Sequence, residues 1–193
     1  MSLKDLAAAR RSIRRFTETR VSREDLLDMV RAAAGGPSAG NNQPWQFIVV
    51  EDAQTVRRIN KNLGWMGGAP EDAVQPRAHI VIALANPEKS WTIYADGGAA
   101  AAVICLAAAE KGIGSCWVGS ANRDDVRSLL QIPVELEVFS VIALGYPAEE
   151  PARVEVARLA KSSVQRDASG RLTVQKLALD AICHIGRYGQ RLS

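Results

Sequence analysis

Histidine is nearly absent from this chain: His79 and His184 are the only two among 193 residues. Neither stands in a catalytic-triad or HExxH context, and no GxSxG or GxxxxGK[ST] segment occurs. These absences argue against the common nucleophilic hydrolases, zinc peptidases and P-loop NTPases. Cysteine is sparse too. Cys105, Cys116 and Cys183 form no CxxC pair and no closely spaced framework, so neither a zinc site nor a secreted disulfide scaffold is expected. Long hydrophobic runs are also missing. The most apolar stretch, GGAAAAVICLAAA at 97–109, is shorter than the roughly 20 residues of a membrane span and reads as a buried helix. The opening MSLKDLAAARRS lacks the apolar core of a signal peptide. A reduced, cytoplasmic protein without membrane association is expected.

Charge is not strongly of one sign. Twenty-four basic residues against 21 acidic give a net +3, too little to argue for nucleic acid. The basic residues are uneven, however: RRSIRR places Arg10, Arg11, Arg14 and Arg15 within one short stretch. That concentration points to a local anion site rather than a basic surface. Apolar residues make up 47% and charged residues 23%, an ordinary globular composition with enough chain for a real core.

Strands and helices alternate. Leu3 to Arg10 reads as a short helix. Ser22 caps a second, with Asp25 three positions on, and GGPS stops it. QFIVVED and AHIVIALAN read as strands, the latter apolar on both faces and so central. AQTVRRINKNL is a helix between them, followed by the glycine- and proline-rich loop GWMGGAPEDAVQP. YADGGAAAAVICLAAAEKG is a long helix of small residues. SCWVG is a short strand, NRDDVRSLLQI a helix capped by Asn122, and EVFSVIALGYP a long strand. Residues 167–170 read as a turn before a strand at 172–175 and a final helix. Helices on both sides of a mixed sheet are expected, in one domain spanning 1–193. Residues 151–193 lack a long apolar run and read as an extension that packs on something else.

With so little acid–base equipment, a bound cofactor is the natural source of chemistry, and three segments are candidates for holding one. In ARRSIRRF, Arg10, Arg11 and Ser12 supply the guanidinium and hydroxyl donors that a phosphate takes, with Arg14 adding to the field; a solvated basic helix end explains the same residues. In PSAGNNQPW, at 37–45, the amides of Asn41 and Gln43 carry both donors and acceptors and suit a ring edge that alternates carbonyl and N–H. An Asx turn explains Gly40 and Asn41 but gives no reason for Gln43-Pro44-Trp45. GIGSCWVGS starts like a dinucleotide loop, yet Trp117 stands where the third glycine belongs and the segment follows a helix, so a Rossmann site is not expected. Its functional reading is a backbone N–H near Gly119 or Ser120 aimed at a cofactor; its structural one is a helix stop and a buried strand.

Taken together and in order, RRSIRRF, PSAGNNQPWQFIVV, EKGIGSCWVGS and IALGYP resemble the FMN-dependent nitroreductase family, from about Leu3 to Pro147. The resemblance implies an α+β, three-layer nitroreductase-like fold with FMN at a homodimer interface. Arg10, Arg11 and Ser12 match the segment that binds phosphate and ribityl chain. Pro37, Ser38, Ala39 and Asn41 match the segment that reaches the flavin from the other subunit, with Asn41 rather than Asn42 at the characteristic position two before Gln43. Trp117, Val118, Gly119 and Ser120 match the strand end whose backbone approaches the flavin. In VQKLAL, Lys176 matches a phosphate-binding lysine, while Gln175 and Leu177 depart from the family's proline and arginine; Arg158 is a candidate replacement. The family's longer lid insertion is missing, leaving ANPEKSWTIYADGG, with Trp91 and Tyr94 as candidate pocket residues and GWMGGAP as a substitute lid. No side-chain nucleophile is expected. The implied activity is hydride transfer from NAD(P)H through FMN to a nitroaromatic or quinone acceptor by a ping-pong route. The alternatives are a flavin-binding protein without turnover, and a flavin-fragmenting or dehalogenating enzyme.

Overall fold

The computed structural model describes residues 2–65, 74–86, 88–160, 163–166 and 171–190. The expected turn at 167–170 and most of the GWMGGAP loop lie outside them. The chain divides into two compact units, Met1–Ala148 and Glu149–Ser193.

The first unit is built on a four-stranded sheet. Its strands are β1 (Trp45–Val50), β2 (Ala78–Ala85), β3 (Gly114–Val118) and β4 (Leu136–Gly145), in the spatial order β1-β2-β4-β3. All three ladders are antiparallel. The expected mixed character enters at the β3 edge, where Ser12 and Ser115 form a parallel bridge. β2 is buried along nearly its whole length, as its unbroken apolar sequence demands of a central strand.

Two apolar clusters cover the two faces, which gives three layers. On one face, helices α2 (Arg23–Ala34) and α4 (Trp91–Glu110) pack Leu26, Met29, Ala101 and Ile104 against Ile80, Ile82 and Ile142. On the other, α3 (Ala53–Asn60) and α5 (Arg123–Leu130) pack Val56, Ile59 and Val126 against Val81, Val141 and Cys116. α1 (Leu3–Ala9) starts with a reciprocal capping box between Ser2 and Asp5. Ser22 caps α2 as expected, its Oγ accepting from the Asp25 N–H at 3.0 Å.

α4 begins earlier than its sequence pattern implied, and at 20 residues it is long and apolar enough to cross a membrane by length and composition alone. Here it is a core helix whose buried stripe is Gly97, Ala100, Ala101, Ile104, Cys105 and Ala108. Its opposite side leaves Ala95 and Ala102 exposed. Lys111, just past its end, donates to Asp25 at 2.9 Å and Asp28 at 3.0 Å, tying α4 to α2.

Beneath β2 lies a buried polar network. His79 Nε2 pairs with Asn60 Oδ1 at 2.9 Å, and the Asn60 amide donates to Gln75 at 2.8 Å. Burial pushes His79 down from 6.5 to about 4, so the ring is neutral at physiological pH.

The second unit holds a three-stranded sheet of order β5-β7-β6, with β5 (Ala152–Val156) parallel and β6 (Val164–Arg166) antiparallel to β7 (Leu172–Leu177). A one-turn helix, α6 (Leu179–Ile182), follows. Leu179, Ile182, Ile185 and Tyr188 are all more than half exposed in this unit.

Candidate functional site

α1 stops at Ala9, and the chain then runs along the outer edge of β3. The Ile13 N–H donates to the Ser115 carbonyl at 2.9 Å, Thr17 to Tyr146 at 2.8 Å, and Ala148 back to Arg15 at 2.9 Å. This arm lies close because two positions beneath it lack side chains. A Cβ on Gly114 would sit 2.9 Å from Ile13, and one on Gly145 would sit 2.8 Å from Phe16. The glycines of GIGS and GYP therefore admit the arginine arm rather than a dinucleotide. Arg11 donates to the carbonyls of Ala8 and Arg10, closing the end of α1. Arg14 donates to the Ser12 carbonyl at 3.3 Å.

Arg14 also lines a cleft of about 590 Å³ with Gly64, Trp65, Cys116, Trp117, Val118, Gly119 and Ser120. Trp117 turns outward at 42% exposure, between buried Cys116 and Val118. Among the described residues, no heavy atom lies within 4 Å of where a Cβ on Gly119 would stand. The Ser120 hydroxyl is engaged locally. It donates to the Gly64 carbonyl at 2.9 Å, while Gly64 N–H donates to the Ser120 carbonyl. Trp65 belongs to the GWMGGAP segment read as a substitute lid but was not singled out there, since a lone tryptophan in a glycine-rich stretch carries no periodic signal. Its indole N–H donates to the Asn60 carbonyl at 3.3 Å, which holds the ring as a wall of this cleft. Below the arm, burial pushes the Cys105 thiol up, against the opposing pulls of Ser115 and the Arg10 charge.

The segment 37–43 is a tight turn with a single 3-10 turn at Ala39–Asn41. Gly40, Asn41 and Gln43 all have left-handed backbone, with φ of 58°, 57° and 47°. Glycine and asparagine accept this region readily; glutamine does so rarely. Ser38 Oγ accepts from the Gln43 N–H at 3.0 Å, and the Gln43 amide donates to Asn41 Oδ1 at 3.2 Å. Asn42 uses only its backbone N–H, bonded to the Ala39 carbonyl at 3.1 Å. Pro44 and Trp45, unexplained by a turn alone, start β1: the Pro44 carbonyl accepts from Ala85 N–H, and Trp45 is buried beside Phe47.

The candidates of the first unit fall into two groups. Arg14 and Trp117–Ser120 meet at the β3 edge. The 37–43 turn enters β1, the opposite edge of the sheet, with β2 and β4 between it and β3. The register directs both segments toward the same end of the sheet, because Trp45 pairs with Leu84, Leu84 with Glu137, and Val118 with Val141. Lys176 is exposed on β7, in the second unit, where the neighbouring Gln175 side chain accepts from the Ala160 N–H at 2.9 Å. Trp91 is 77% exposed. Tyr94 donates to Glu137 at 2.7 Å and lines a different cleft, of about 690 Å³, with Asn86, Lys89 and Arg127. The described residues contain no cluster of three metal-ligating side chains.

The fold is shared with known proteins. The family model described as Nitroreductase family matches residues 7–146, and the chain belongs to that family. It is 38% identical over 149 residues to an Archaeoglobus fulgidus protein provisionally named NADH dehydrogenase/NAD(P)H nitroreductase, covering 73% of this chain and 83% of that one. It is 28% identical over 173 residues to an iodotyrosine deiodinase of Thermotoga neapolitana, covering 75% and 88%. Among solved structures, an FMN-dependent nitroreductase of Clostridium difficile R20291 superposes with a TM-score of 0.67 at 29% identity, covering 75% of this chain and 87% of that one.

Proposed function

We propose that the protein is an NAD(P)H-dependent flavin oxidoreductase of nitroreductase type, a cytoplasmic homodimer with FMN bound between its subunits. The observation that carries this reading is the cleft at the β3 edge, where Arg14 faces an open strand end at Gly119 beneath the arginine arm. Its residues fit the cofactor. Trp65 and Trp117 give the cleft an aromatic lining, Gly119 leaves the strand end open, and its cation, Arg14, suits an electron-rich ring. Bound FMN would supply hydride-transfer chemistry between NAD(P)H and an oxidant, with donor and acceptor using one face in turn. The names of the Archaeoglobus and Clostridium relatives support this chemistry.

The chain's own residues bind and orient. Arg10, Arg11 and Ser12 hold the phosphate end. Arg14 balances negative charge at the ring. The backbone of Trp117, Val118, Gly119 and Ser120 forms the edge against which the ring rests. The turn at Pro37, Ser38, Ala39, Asn41 and Gln43 completes the site from the second subunit; in its own chain it leads into β1, the sheet edge opposite β3. Exposed Leu179, Ile182, Ile185 and Tyr188 pack on that subunit, and Lys176 contributes to the phosphate clamp. The acceptor is a small nitroaromatic or quinone.

Purified protein is then yellow and is bleached by NAD(P)H without oxygen; a colourless protein that takes up no FMN on reconstitution refutes the reading. Bound FMN without NAD(P)H oxidation by any quinone or nitroaromatic would instead mark a flavin-binding protein. The likeness to the Thermotoga deiodinase favours a second reading, reductive dehalogenation, which iodide release from iodotyrosine tests.

A further inference from the structure

We propose that Asp96 is a positioning residue for this site: from inside α4 it fixes the Ser38–Asn41 turn in the shape that meets the flavin. The proposal rests on the flavin reading above.

The turn is poorly supported by packing. Pro37, Gly40, Asn41, Asn42 and Gln43 are exposed, and three of its residues hold left-handed backbone. Such geometry persists only where the surroundings over-determine it. Most of its hydrogen bonds are internal: Asn41 to Ser38, Asn42 to Ala39, Gln43 to Ser38 and to Asn41. These stiffen the turn but do not attach it. Among the described residues, the one side chain from the body of the protein that bonds residues 37–43 is Asp96, whose Oδ1 accepts from the Ala39 N–H at 2.9 Å.

Asp96 is itself unusual. It is the one charged side chain in α4 before the final Glu110, yet it is only 6% exposed. Its Oδ2 is buried with no hydrogen-bond partner among the described residues. A half-satisfied buried carboxylate is costly, and an apolar or small side chain would serve packing better on a helix otherwise lined with alanine. What the carboxylate adds is a charge-assisted bond to a backbone N–H, the stronger kind. That N–H belongs to the residue at the start of the left-handed run. Asp96 therefore acts through Ala39: it anchors the turn to α4, whose Gly97 lies tight against Leu84 and Phe139 of the sheet. The helix is closely packed at this point, and the turn inherits its position.

The test uses full-length protein stripped of flavin, as wild type, Asp96→Asn and Asp96→Ala. Asparagine keeps an acceptor for Ala39 but loses the charge; alanine loses both. FMN titration followed by flavin fluorescence, the absorption spectrum of bound flavin and hydrogen exchange at the Ala39 amide are measured together. FMN Kd is expected to rise about 3- to 10-fold in Asp96→Asn and more than 10-fold in Asp96→Ala, with Ala39 exchange accelerated in the same order and the flavin band shifted. A core role alone would lower the melting temperature and leave Kd, spectrum and Ala39 protection unchanged; folded variants within twofold of wild type on these overturn the proposal. If Asp96→Ala does not fold, Asp96→Asn decides by the same criteria. Wild-type protein that binds no FMN sinks the flavin reading instead, and Ala39 exchange still reports whether Asp96 holds the turn.

Discussion

Asn41 and Asn42 are chemically identical neighbours in different situations. Asn41 sits at φ 57° with its side chain engaged by Gln43, whereas Asn42 uses only its backbone within the turn. Replacing Asn41 with alanine adds roughly 1 kcal/mol of left-handed strain and removes the amide. Asn41→Ala is therefore expected to weaken FMN binding about 10-fold and Asn42→Ala less than twofold, by titration of the flavin-free protein. Asn41→Gly separates the two causes, because it relieves the strain but not the loss of the amide; a Kd as poor as that of Asn41→Ala identifies the side chain as the reader. The turn at Gly40 and Asn41 was legible in the sequence from the turn preference of glycine and asparagine. Asp96 and Trp65 were not. A buried carboxylate that bonds a turn 57 positions away leaves no local pattern, and one indole acquires its role only through tertiary contact.

At the scale of elements, the strands and most helices were readable, because apolar period and caps agreed along the chain. Ser22 and Asn122 cap the helices they were expected to cap. The arm at 10–16 was not readable as an edge segment, since its partners are β3 and the end of β4, about a hundred positions on. Its dependence on two bare glycines makes a prediction. Gly114→Ala places a methyl group 2.9 Å from Ile13 and is expected to destabilise by about 1–3 kcal/mol in denaturant unfolding. Because the displaced element carries Arg10–Arg14, FMN affinity falls with stability. The His79–Asn60–Gln75 network predicts an acid limb. The unfolded chain takes up a proton at His79 below about 6.5, whereas the native chain does so only near 4. Stability therefore falls as pH drops between these values, by about 3 kcal/mol in total. The carboxylates of Asp25, Asp28, Glu51 and Asp52, held low by their hydrogen-bond partners, lose their contributions at lower pH still. His79→Gln keeps a donor for Asn60 and should flatten the limb between pH 6.5 and 4; an unchanged slope there excludes His79 as its origin.

At the scale of the molecule, the proposed site is divided between two copies of the chain. The 37–43 turn and the Trp117–Ser120 strand end belong to opposite edge strands, and on the proposed reading a second copy supplies the turn. The α4 face at Ala95 and Ala102 and the exposed apolar residues after Leu179 offer surface for that copy. Ala102→Arg is accordingly expected to shift the protein toward monomer in light scattering and to lose FMN. The most direct test of a shared site is complementation between two variants. Arg10→Ala and Asn41→Ala homodimers each carry two singly damaged sites. Mixed dimers with one subunit of each should hold one site with both damages and one with none. FMN titration of purified mixed dimers is predicted to show one site of wild-type affinity per dimer. Mixed dimers with no wild-type site would contradict the account, because both halves would then come from the same chain.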